Sequence, residues 1–444
     1  MTTRSQLVAA LGLAALAAPL PLGAADWPQW NGPQRDNISR ETGLLKEWPE
    51  GGPKLLWTYK DAGAGYSSPA IVGDRLYLTG ARGDSEFLFA LDLKASPPNE
   101  VWAVKLGPTF SWKGNSWNVG PSAAPAVEGG LVYALGGLGD LVCAEADGGK
   151  EVWRTSLARD LGGEVNPIGG GPEKLGWGFT AAPLVDGDVV VVVPGGPQGM
   201  AAALDKKTGK VAWRGKGLTG QATYAAPLAA DLGGVRQYLI MTYGGVAGVA
   251  AKDGSLLWNY KREEPFGDIV AVAPAVDGNL VFITGAGGGA GGADLIKVMG
   301  DGGQFRAERV FSTRDLAVYH GGVVLLNGHV YGASGEGART KWVCLDLKAG
   351  KPAWERDDRR LGKGSLTCAD SRLYLLGEKG QVLLAEASPT KWVPRGQFKL
   401  PEETALREKL GLSRGGFWTH PVVANGRLYL RDQDLLYCYD VKGQ

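Results

Sequence analysis

The sequence predicts an all-β chain closed into an eight-bladed β-propeller, and three observations carry that expectation. The phrase Gly-x-x-x-Trp recurs, as Gly149-Lys-Glu-Val-Trp153, Gly209-Lys-Val-Ala-Trp213, Gly254-Ser-Leu-Leu-Trp258 and Gly350-Lys-Pro-Ala-Trp354, with degenerate copies ending at Trp57 and Trp102. Successive intervals are 45, 51, 60, 45 and 96 residues, so the last spans two units, one without its Trp. Periods of about 40 to 50 residues built from short strands mark propeller blades, because one small sheet cannot bury both faces alone. The final unit also stops one strand short, while Leu55 to Lys60 reads as a fourth strand lacking its first three.

The strand signals recur in each unit. Short runs of β-branched and aromatic residues bounded by Gly, Asp and Asn appear eight times, among them Arg-Leu-Tyr-Leu at 75–78, 372–375 and 427–430. Pairing the strand around Trp57 with the last unit closes the ring without an open edge and makes the two ends of the repeat neighbours. The turns between first and second strands are tight, at Val72-Gly-Asp74, Asn327-Gly328 and Asn425-Gly426. The long inserts 107–121, 158–179 and 401–417 each join a fourth strand to the next first strand, so all three fall on one face, where function is expected. They carry Phe110, Trp112, Trp117, Trp177 and Phe417, either as caps on the core between blades or as a stacking surface. A short helix is expected near 402–410.

Between Arg4 and Asp26 no residue is charged, and small residues precede Asp26, which reads as a cleaved secretory signal over 1–25. A lead-in over 26–54 and one propeller domain over 55–444 follow. The expected location is periplasmic or secreted, with no transmembrane segment and no lipid anchor, the first cysteine being Cys143. The 47 Lys and Arg against 46 Asp and Glu leave no field for nucleic acid. Cys143, Cys344 and Cys438 each precede an acidic residue by two, a register shared by Ala90 and Ala203, so the cysteines are expected as free, packed thiols.

Aligning the blades on their tight turns places Tyr66, Ser122, Thr180, Tyr224, Ala271, His320, Lys363 and Trp418 at the approach to the innermost strands. Two residues later the column holds Ser68, Ala124, Ala182, Ala226, Ala273, Gly322, Ser365 and His420. Where eight strands converge small residues are expected, and the exceptions Tyr66, His320, Lys363, Trp418 and His420 form an arc over four consecutive blades. That arc is the candidate ligand site, with Trp112, Trp117 and Trp177 as rim aromatics; the alternative is a rim that tolerates any polar side chain. His329 falls on the plain face and is expected to be structural. No His-Glu-x-x-His, Cys-x-x-Cys-His or Gly-x-Ser-x-Gly motif occurs, so no catalytic or metal residue is assigned. Gly285 to Gly292 joins two strands, which is not the setting of a phosphate loop.

The segments Ala-Leu-Asp205-Lys-Lys-Thr-Gly209-Lys-Val-Ala-Trp213 and Cys-Leu-Asp346-Leu-Lys-Ala-Gly350-Lys-Pro-Ala-Trp354 resemble the tryptophan-docking repeats of the pyrroloquinoline-quinone (PQQ) propeller superfamily. The resemblance implies that Trp57, Trp102, Trp153, Trp213, Trp258 and Trp354 pack against neighbouring blades. It leaves two branches: noncatalytic BamB-like scaffolds of the bacterial envelope, which need no cofactor, and alcohol dehydrogenases that hold PQQ with calcium. Adjacent cysteines, usual in the second branch, are absent. The favoured reading is an exported, noncatalytic propeller binding a protein or small ligand on its long-loop face. A PQQ-dependent oxidoreductase is the first alternative, a carbohydrate-binding propeller the second.

Overall fold

The computed structural model describes residues 26–167, 174–335 and 337–443; the predicted signal segment lies outside them. Eight antiparallel sheets are arranged as successive blades, seven of four strands and one of five. Blade 1 runs Ala70–Val72, Arg75–Arg82, Ser85–Asp92 and Asn99–Pro108 in sequence order, and blades 2 to 7 repeat the pattern. Blade 8 holds Val422–Ala424, Arg427–Asp432 and Leu435–Asp440, and its fourth strand is Lys54–Tyr59, antiparallel to Leu435–Asp440 with Lys54 opposite Asp440. The predicted closure therefore holds.

The docking phrase has a common geometry. Gly149, Gly209, Gly254 and Gly350 sit at φ of +69°, +70°, +72° and +66°, each donating its N–H to the carbonyl four residues earlier. Left-handed backbone is one reason for glycine; the neighbour is the other. A Cβ on Gly149, Gly209 or Gly254 would stand 2.6, 2.7 and 2.5 Å from the ring of Trp102, Trp153 and Trp213, in the preceding blade. Those indoles donate Nε1–H to the next blade, at Ala146 O (3.1 Å), Lys206 O (3.0 Å) and Ala251 O (3.0 Å), and Trp354 does the same to Ser388 O (2.8 Å). Trp258 differs, bonding Gln237 Oε1 within its own blade at 2.7 Å. In the two blades whose fourth strand carries no docking Trp, a Phe takes the place: Gly350 is seated on the ring of Phe311 and Gly52 on that of Phe398.

Each docking tryptophan lies opposite a small position on the third strand: Trp102 faces Ala90, Trp153 Cys143, Trp213 Ala203, Trp258 Gly248, Trp354 Cys344 and Trp57 Cys438. All four cysteines are buried and unbridged, and burial raises their thiols to about 11 or 12.

The seam between blades 8 and 1 has its own lock. Arg431, 1% exposed, donates to the carbonyls of Gln433, Ser67, Thr79, Ala62 and Gly63 at 2.7 to 3.1 Å. A buried guanidinium needs its donors satisfied, and five carbonyls satisfy this one, Gln433 O in its own hairpin and the other four toward blade 1.

The lead-in crosses the ring as a strap. Trp27 exchanges backbone hydrogen bonds with Ile71 of blade 1, and Pro28 O accepts from Val127 N of blade 2. Arg35, 4% exposed, reaches Pro183 O (2.9 Å) and Ala182 O (3.1 Å) at blade 3. Asn37 Nδ2 donates to Val323 O before blade 6, Ile38–Ser39 pairs parallel to Cys368–Ala369 as the fifth strand of blade 7, and Glu41 accepts from Gly426 N of blade 8.

Gly209→Ala should cost about 2–4 kcal/mol in urea unfolding, since it adds both left-handed strain and a clash with Trp153. Gly187→Ala, at φ +58° with open space around its Cβ position, should cost only about 1 kcal/mol. Equal losses in the two variants would remove the ring contact as the cause.

Candidate functional site

All eight residues of the first aligned column line a single cavity of about 290 Å³ at the ring's centre. The strap touches positions further along the same inner strands, toward the opposite face, so the cavity is a cup opening among the long inserts. Trp30 of the strap reaches into its floor, with its ring 4.4 Å from that of His420.

The predicted arc is brought together. The Trp418 ring lies 5.2 Å from Tyr66 and 5.3 Å from His320, and Lys363 Nζ is 6.0 Å above it. The same ammonium sits 4.1 Å over the ring of Tyr319 and 4.0 Å from Glu378 Oε2, the outer limit of an ion pair. A cation held over aromatic faces is attracted by their quadrupoles.

His420 is 4% exposed, and its Nε2 meets His320 O at 3.0 Å. A carbonyl can only accept, so Nε2 carries the hydrogen and Nδ1 is a bare acceptor, unpartnered among the described residues. Burial draws its pKa down to about 4. His320 is held well below the ordinary range, by burial first and then by the charge of Lys363. Both rings are neutral near pH 7.

The rim aromatics divide. Phe110 and Phe417 are buried and cap the core, whereas Trp112, Trp117 and Trp177 are half-buried and pack on one another, Trp177 standing 6.1 Å from Trp112 and 5.1 Å from Trp117. Trp117 and Trp177 line the cup; Trp112 buttresses them and donates Nε1–H to Gly176 O at 3.2 Å. Tyr66 donates its hydroxyl to Trp117 O at 2.9 Å, and Arg414 stacks 4.9 Å over the Trp117 ring.

Two buried carboxylates anchor the inserts. Glu86, 1% exposed, accepts from Phe110 N (2.9 Å) and Gly137 N (2.7 Å), and Gly137 O in turn accepts from Phe179 N (2.9 Å). One carboxylate thus steadies both Trp-bearing inserts. Burial raises its pKa to about 7, with Asp140, itself paired to Arg159 at 2.8 Å, adding to the rise. Asp432 ties down the third insert through Arg407 and Thr404 N. The helix expected near 402–410 is one turn, Leu406–Lys409.

Trp30, Tyr319, Glu378 and Arg414 line the cup without having been singled out in the sequence. Tyr319 adjoins His320, and Glu378 lies in a second-to-third strand turn, which shares a face with the inserts. His329 stands apart, 3.0 Å from Asn327 O and 3.9 Å from Asp346, and has no part in the cup.

An eight-bladed ring docked by tryptophan and sealed at one end, with an aromatic cup at the other, defines a PQQ-repeat type of propeller. A family model described as outer membrane protein assembly factor BamB matches residues 93–356, and the chain belongs to that family. No curated protein sequence matches it. Among solved structures, BamB from Moraxella catarrhalis is 15% identical with a TM-score of 0.55, over 87% of this chain and 99% of that one. Quinohemoprotein alcohol dehydrogenase from Comamonas testosteroni is 12% identical with a TM-score of 0.63, over 95% and 81%. The designed protein Ika8 is 11% identical at 0.59, over 87% and 100%. At these identities the likeness is one of fold.

Glu86 predicts a pH signature. Its folded pKa lies above the ordinary carboxylate value of 4.5, so its stabilising contribution is full below about 4.5 and is lost as pH rises through about 7. Subtracting urea midpoints of Glu86→Gln from those of the parent between pH 4.5 and 8 should expose that slope. A difference that stays flat with pH would refute the assignment.

Proposed function

We propose that this chain is an exported, noncatalytic PQQ-repeat propeller that holds a small ligand, or one inserted side chain of a partner, in the aromatic cup on its long-loop face. The observation that carries the reading is the cup itself: a concave, largely aromatic site with few polar groups is the usual form of a binding pocket. Export is supported by the uncharged apolar stretch before Asp26, and an envelope setting by the family description. Among the described residues no helix is long and apolar enough to cross a membrane.

The donors present do not fit calcium with PQQ. Glu378 is the single carboxylate lining the cup and stands beside Lys363, and the described residues hold no cluster of three or more His, Cys, Asp or Glu able to grip a metal. A calcium ion takes about six to eight oxygen ligands. His420 is tied into the floor through its only ring N–H, and the two ring nitrogens of His320 are buried without a partner among the described residues. The rim pair Trp117 and Trp177 also supports a second reading, in which the site stacks on a carbohydrate.

Saturation-transfer NMR with a fragment library should give binders that Trp418→Ala weakens by about tenfold or more, while Trp392→Ala, in an outer groove of blade 7, leaves them unchanged. Binders indifferent to Trp418 would remove the cup as the site. Incubation with PQQ and calcium should give no dye-linked alcohol oxidation; turnover would overturn the noncatalytic assignment.

A further inference from the structure

The cup's charges select its ligand. Three charged side chains line it, Lys363, Arg414 and Glu378, and the two histidines are neutral, which leaves one positive charge in excess. Lys363 is the inner cation, its side chain 15% exposed, whereas Arg414 is exposed at the rim. The aromatic support at 4.1 Å from Tyr319 holds the ammonium in place, while Glu378 Oε2 at 4.0 Å lies beyond hydrogen-bonding distance. An ammonium so placed gains most from a carboxylate that can approach to about 2.8 Å, the length of a charge-assisted bond. The walls beside it, Tyr66, Trp418 and Trp117, offer ring faces to an apolar surface.

Size narrows the class further. About 290 Å³ is at the lower end of ligand pockets, enough for one substituted ring and too little for a polymer segment. A single unbalanced charge matches one carboxylate. A tricarboxylate such as PQQ would bring two more into a site whose two cations, Lys363 and Arg414, are already offset in part by Glu378.

We propose, resting on the reading of the cup as a binding site, that its ligand is a small ring-shaped monoanion whose carboxylate lies against Lys363 Nζ and whose ring stacks on the aromatic wall. Aromatic acids and sugar acids share this chemistry.

Isothermal titration of residues 26–444 with benzoate and glucuronate, each against its neutral counterpart benzamide or glucose, tests it. At least one anion should bind, about tenfold or more tighter than its counterpart, and weaken with added salt as a screened charge contact does. Benzoate alone would identify an aromatic acid, glucuronate alone a sugar acid. Lys363→Gln should lose that anion preference while keeping the parent thermal midpoint, and Lys363→Arg, which keeps the charge, should retain it. Neutral counterparts binding as tightly as the anions, affinity unchanged in Lys363→Gln, or PQQ binding more tightly than either monoanion would overturn the proposal. If neither anion binds while neutral fragments still depend on Trp418, the monoanion is wrong and the cup reading stands. If no compound of either kind depends on Trp418, both fall.

Discussion

The contact on which the ring depends is a tryptophan face laid on a glycine of the next blade. It joins two requirements at one residue: the turn between third and fourth strands needs a left-handed position, and the preceding indole needs a surface without a Cβ. Because the same Gly-x-x-x-Trp phrase supplies the glycine to one neighbour and the ring to the other, a blade that carries it is fixed on both sides by five residues. The indole N–H adds direction, since it must reach a carbonyl of the adjoining blade. Phe311 and Phe398 keep the stacking where that donor is missing.

A ring so fastened leaves its central channel to be shaped by other means, and here the two ends are treated differently. The strap fills one end with buried Arg35, Asn37 and Trp27, each bonded to the carbonyls and amides it passes. The other end is bordered by three inserts whose bases are pinned by Glu86 and Asp432. Aromatic rings can then converge on Trp418 without the inserts needing secondary structure of their own.

Much of this was legible because repetition turns a sequence into its own alignment. The tight turns set a register, and the register placed Tyr66, His320, Lys363, Trp418 and His420 in neighbouring blades, where the structure finds them around one cavity. What escaped lies outside the repeat. Trp30 and Arg35 belong to a segment with no counterpart in other blades, and Arg414 sits in an insert of irregular backbone. Glu86 occupies an ordinary strand position, and nothing local reveals that it caps the amide of Phe110 or of Gly137. Phe311 escaped because no glycine stands four residues before it. Long-range hydrogen bonds leave no trace in periodicity.

The seam has a consequence for how the chain is made. Lys54–Tyr59 is among the first strands to leave the ribosome, yet its partner Leu435–Asp440 is the last. Until then the nascent protein is an open stack with an unpaired edge at each end, and joining them pays the entropy of the largest loop the chain contains. Two unfinished or strained copies meeting in that condition present complementary edges. Exchange of the first strand between them would conserve every pairing of the seam, so domain swapping is a misassembly that this closure permits.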